Sequence, residues 1–114
     1  LKGNQNTLHD DISAYFERKS ASNFKDVKVD FHKTIEKSHG RIDTRTYHVI
    51  YDIGWLQKRH DWPGLKSIIM VGSERDIDGE VTRETRYYIS SFKLRAKQAG
   101  DAVRGHWSIE SVPQ

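Results

Sequence analysis

Two short stretches of this chain bring together side chains that could do chemistry. The first is Arg104-Gly105-His106-Trp107-Ser108-Ile109-Glu110, in which a carboxylate follows a histidine by one helical turn, with a tryptophan between them. A carboxylate is a hard oxygen ligand for a divalent cation such as Mg, and a cation so held can activate an oxygen nucleophile for phosphoryl transfer. One carboxylate is not a two-metal site, however, and an amphipathic helix with Trp107 packed and Glu110 in solvent is the simpler account of this stretch taken alone. The second is Glu36-Lys37-Ser38-His39-Gly40-Arg41, which sets Lys37, His39 and Arg41 around a turn from which cations reach a phosphate backbone. Taken alone, a solvated turn with Gly40 supplying an unusual backbone angle is again the simpler account.

Other site chemistries find no support. The chain contains no G-x-x-x-x-G-K-[ST] loop and no G-x-G-x-x-G turn for cradling phosphates, and no G-x-S-x-G elbow for a serine nucleophile. The six histidines are scattered, and none forms an H-E-x-x-H pair. Cysteine is absent, which excludes disulfides and thiolate zinc sites and points to a cytoplasmic setting.

The elements that must position these residues can be read from the patterning. A helix is expected from about Thr7, which can cap it, with Asp10 and Asp11 in its first turn, Leu8, Ile12, Tyr15 and Phe16 at helical spacing, and Arg18 and Lys19 in its last turn. After a polar connector, a strand from Val29 reaches the Ser38-His39-Gly40 turn and returns as Ile42 to Ile50, with Thr44, Thr46 and His48 on one face and Asp43, Arg45, Tyr47 and Val49 on the other. Asp52 to Trp62 reads as a short helical or irregular crossover closed by Trp62-Pro63-Gly64. Two further strands, Leu65 to Ser73 and Val81 to Phe92, meet across Asp76-Ile77-Asp78-Gly79. Lys93 to Ser111 returns to helical composition, with Gly100 as a break or kink, and so presents Val103, His106, Trp107 and Glu110 on one side. The expected class is α+β, an antiparallel sheet of about four strands flanked by N- and C-terminal helices.

With 114 residues and 35% hydrophobic content, residues 1–114 amount to a single domain or part of one with a modest core, and the 31% charged residues read as its solvated surface. A net charge of +3 suits a polyanionic partner without requiring one. No stretch approaches the roughly 20 apolar residues of a membrane span.

Five segments, LKGNQ, EKSHGRID-R, WPGLKSI, TRETRYYISSF and RGHWSIE, occur here in the order found in the H-repeat-associated (ISAs-type) DDE transposases, and this resemblance covers nearly the whole chain. It implies the C-terminal part of an RNase H-like catalytic domain, with the strands as its β insertion. Glu110 then matches the family's catalytic glutamate and metal ligand. In the parent enzyme it would help hold Mg for cleavage and transfer of DNA strands at insertion-sequence ends. The family's two aspartates precede LKGNQ, so this chain by itself is expected to be inactive and to bind no metal. The abrupt Leu1 start and the Val112-Pro113-Gln114 end are expected to reflect a truncated gene or fragment. DNA contacts are expected from Lys37, His39, Arg41 and Arg45 near the hairpin and from Arg104 and His106 near the glutamate. His106 stands where the broader group often has arginine. The alternative is a non-catalytic DNA-binding or self-associating module, forming a homodimer through an exposed sheet edge.

Overall fold

The computed structural model describes residues 7–113. The LKGNQ segment lies outside them. Thr7 caps the first helix, α1 (Leu8–Ala21): its Oγ1 accepts a hydrogen bond from the Asp10 N–H at 3.0 Å, and Asp10, Asp11, Arg18 and Lys19 complement the helix dipole as expected. Five strands follow, interleaved with two helices: β1 (Val29–Ser38), β2 (Arg41–Ile50), α2 (Gly54–Arg59), β3 (Ser67–Ile77), β4 (Glu80–Ser90), α3 (Ala96–Gly105) and β5 (Glu110–Ser111). They form one open antiparallel sheet in chain order, β1-β2-β3-β4-β5, so the architecture is α+β with four long strands and a two-residue fifth.

The two hairpins turn where the sequence places glycine. Gly40 lies at φ 66, and Asp78 and Gly79 lie at φ 51 and 92, the positive pair that a tight two-residue hairpin turn requires. Strand pairing therefore continues through Asp76 and Ile77, which the sequence reading assigned to the turn, and Ile77 pairs with Glu80. The two tips also dock on each other, since the Asp78 N–H donates to the Gly40 carbonyl at 2.9 Å. A Cβ at Gly40 would lie 2.6 Å from the Asp78 carboxylate, which would have to swing aside, and it is the positive φ that favours glycine there.

Side-chain alternation divides the sheet into two faces. On one, Ile50, Ile68, Tyr87 and Ile89 pack with Ile12, Tyr15 and Phe16 of α1 and with Ile53, Leu56 and Leu65 around α2. Asp11 of α1, buried, binds Arg59 Nε at 2.9 Å and His60 Nε2 at 2.6 Å and so ties α2 to α1. On the other face, Tyr47, Val49, Ile69 and Val71 meet Ala96 and Ala99 of α3. Gly100, expected to break or kink this helix, lies buried within it. A Cβ there would approach the Tyr47 ring to 3.3 Å, so the glycine admits a close helix-to-sheet contact.

The expected C-terminal helix ends earlier than its composition suggests. α3 stops at Gly105, because His106 adopts a left-handed conformation (φ 55, ψ 41) and Ser108 another (φ 55). Trp107 lies over Gly105, where a Cβ would meet its ring at 2.8 Å, and Ser90 Oγ donates to the Ser108 carbonyl at 2.6 Å. These contacts turn the chain back to pair Glu110 with Ile89 as β5.

Candidate nucleic-acid interface

The cations expected around the first hairpin sit at its exposed end, but they are not equivalent. Lys37 and His39 are exposed. Arg41 is engaged: its Nε donates to Asp43 Oδ2 at 2.9 Å while Arg75 Nε, across on β3, donates to Asp43 Oδ1 at 2.9 Å. Hydrogen bonds from Arg75 and then Arg41 hold the Asp43 carboxyl below its ordinary pKa. Arg41 thus belongs to a three-residue charge cluster spanning β2 and β3.

Arg45 lies apart from that tip. Its side chain shares the α3 face with Tyr47, and it lines a cleft of about 300 Å³ together with Arg104 and His106 from the end of α3 and Arg86 from β4. Residues assigned to two separate regions by the sequence reading therefore converge on one site. Arg86 was not foreseen. Register places it there, since Arg86 is directly opposite Val71, Val71 is opposite Tyr47, and cross-strand partners share a face. The period-two pattern Glu84, Arg86, Tyr88 within TRETRYYISSF carried that signal, but it could be used only once the strand pairing was known. Glu84, also in the cleft, accepts a 2.9 Å hydrogen bond from Arg86 Nε, and this pairing, helped by Tyr88, raises the Arg86 pKa above its ordinary value. Arg104 Nη2 bonds Asp101 at 2.9 Å.

Glu110 does not join this site. It is exposed on β5, and its partner Ile89 belongs to the α1-side core, so register puts Glu110 on the face opposite Arg104 and His106. The expected helical face of Val103, His106, Trp107 and Glu110 is therefore corrected, for the left-handed turn at His106 separates the members. Glu110 instead borders a cleft of about 400 Å³ with Trp62, Leu65, Ser91 and Ser108. Among the described residues no group of three His, Cys, Asp or Glu side chains could hold a metal ion, and no helix is long and apolar enough to cross a membrane.

The fold and this surface define a small α+β unit, an open meander sheet with helices on both faces and a cationic cleft on one. Over nearly its whole length the chain is similar to proteins that carry the name transposase. It is 33% identical over 117 residues to the "H repeat-associated putative transposase YhhI" of Escherichia coli K12, covering 97% of the chain, and 36% identical over 115 residues to the "Putative transposase YncI" of Escherichia coli O157:H7, covering 96%. It is also 42% identical over 96 residues, 80% of the chain, to the "Uncharacterized protein in dhlA 3'region" of Xanthobacter autotrophicus. The chain spans about 30% of the length of these relatives. No protein-family model and no solved structure matches it. The chain is thus homologous to a segment of the H repeat-associated group.

Proposed function

We propose that the chain is part of the catalytic domain of a DDE-type DNA transposase, its C-terminal portion, and that it contributes DNA-binding surface to the parent enzyme. The observation that carries this reading is the similarity to two proteins named transposases along nearly the whole chain. The parent reaction is Mg-dependent cleavage and transfer of DNA strands at insertion-sequence ends, on an RNase H-like core. In it Glu110 supplies one carboxylate to the metal site. The described residues do not make up a Mg site by themselves, so the remaining ligands would come from outside this chain. Phosphate contacts come from Lys37, His39 and Arg41 at the hairpin tip and from Arg45, Arg104 and His106 in the cleft. Ionic contacts of this kind weaken steeply as salt rises. Duplex affinity measured from low to moderate salt tests the reading, and no binding even at low salt would sink it. In the full-length protein, Glu110→Gln is expected to abolish strand cleavage while leaving DNA binding intact.

A second reading, self-association, is favoured by one observation. β1 is an edge strand with an unpaired ladder side, and Phe31 and Ile35 on one of its faces are 52% and 55% exposed. Sedimentation at rising concentration tests it: a monomer throughout argues against a homodimer.

A further inference from the structure

The cleft on the α3 face is built differently from the rest of the cationic surface. Its floor is apolar, formed by Tyr47 and Val71, which are 1% and 5% exposed, and by Val103. Its rim carries three guanidiniums and an imidazole contributed by β2, β4 and the end of α3. Two of the guanidiniums already have carboxylate partners, Arg86 with Glu84 and Arg104 with Asp101. All four side chains are more than half exposed, so these pairs are weak and can give way to another anion. Arg45 has no carboxylate partner among the described residues, although it is only partly exposed and stands at the edge of the apolar floor. A cation in that position lacks full hydration on one side, and the carboxylates nearest it, Glu84 and Asp43, are bound to other arginines.

We infer that this cleft is a dedicated phosphate site, in which Arg45 of β2 and Arg86 of β4, on the same face of the sheet, clamp a single phosphate group and Arg104 and His106 close it from the end of α3. Guanidinium groups suit this because each presents parallel N–H donors matched to two phosphate oxygens. Glu84 acts as an internal counter-ion, holding Arg86 until another anion replaces it. The inference deepens the DNA-binding reading and rests on it only for the source of the phosphate, which is either the backbone of DNA or a free phosphate monoanion or dianion. It also separates the binding surface from Glu110, which lies on the opposite face of the sheet.

The test uses the 114-residue chain and two probes, inorganic phosphate and a duplex of about 20 base pairs. Phosphate is titrated while the arginine Nε–H signals are followed by NMR, and duplex binding is followed by anisotropy over a salt series. Phosphate is expected to shift Arg45 and Arg86 together and to leave Arg75, held by Asp43 at the hairpin end, unmoved. The slope of log affinity against log salt for the duplex falls by about 0.9 when one phosphate contact is lost, so Arg45→Gln and Arg86→Gln, which act on the same phosphate, should each lower it by up to that amount while Arg75→Gln does not. Arg86 is exposed, so its variant is expected to fold even if Arg45→Gln does not. Phosphate shifts at Arg45 and Arg86 without duplex binding would support the cleft and defeat the DNA reading. Duplex binding with unaltered slopes in both variants, and no phosphate shift at either arginine, would defeat the cleft and leave the DNA reading standing.

Discussion

His106→Gly separates the observed turn from a helix continuing to Glu110, because the two conformations predict opposite signs. In the structure His106 holds φ 55 and ψ 41, and its exposed side chain has no hydrogen-bond partner among the described residues. An L-residue in that region is disfavoured by roughly 1–2 kcal/mol, which glycine avoids. The greater freedom of glycine in the unfolded chain takes back roughly 0.5–1 kcal/mol of this. The expected net result is a stabilisation of about 0.5–1 kcal/mol, or a rise of a few degrees in Tm for a domain of this size. If the helix instead ran on to Glu110, the same change would place glycine in a helix interior and destabilise by about 1 kcal/mol. His106→Ala provides the companion measurement, since it leaves the left-handed strain in place and should be close to neutral, whereas a continuing helix would gain from it. Urea denaturation followed by circular dichroism reads both variants. A glycine variant less stable than the parent beside an alanine variant more stable would refute the turn.

Two further outcomes follow from the α1 side of the sheet. Asp11→Ala removes the buried carboxylate that Arg59 and His60 share and should cost about 2–3 kcal/mol in urea denaturation; an unchanged midpoint would show that α2 is held by its apolar contacts alone. The His48 ring lies between Phe24 and Phe31, at centroid distances of 4.9 and 4.8 Å, with Nδ1 buried and without a hydrogen-bond partner, and burial lowers its pKa. The unfolded chain, with its histidine near pKa 6.5, therefore binds more protons in the window just below that value, so this residue makes stability fall as pH drops through it. His48→Phe should flatten that part of the pH–stability curve, and a slope unchanged by the substitution would rule His48 out as its source.

Local rules carried the first two-thirds of the chain well. Thr7 with Asp10 and Asp11 announced α1, and the alternation from Ile42 to Ile50 assigned both faces of β2, including Arg45 beside Tyr47, because cap chemistry and period-two burial act within a few residues. The C-terminal region was misread for the opposite reason. Composition from Lys93 to Ser111 favours helix, and what draws the chain out of it is in part tertiary: the Ser90 hydroxyl on the Ser108 carbonyl and the pairing of Glu110 with Ile89. Gly100 looked like a helix breaker because the Tyr47 ring it accommodates comes from a strand more than 50 positions earlier. Arg86 went unnoticed because its neighbours in the cleft are set by register across three strands, which no single segment encodes.

The plain chain order of the sheet has a kinetic consequence. Every ladder joins a strand to its predecessor, and two of the four ladders close through two-residue turns, so little chain entropy is lost before pairing begins. Assembly can start at the two docked tips and zip toward the helices without waiting for distant sequence. The late step is then the return of β5, a two-residue ladder reached only after the α3 segment and the strained His106 turn. Glu110 is therefore among the last residues of the sheet to reach its place as the chain folds.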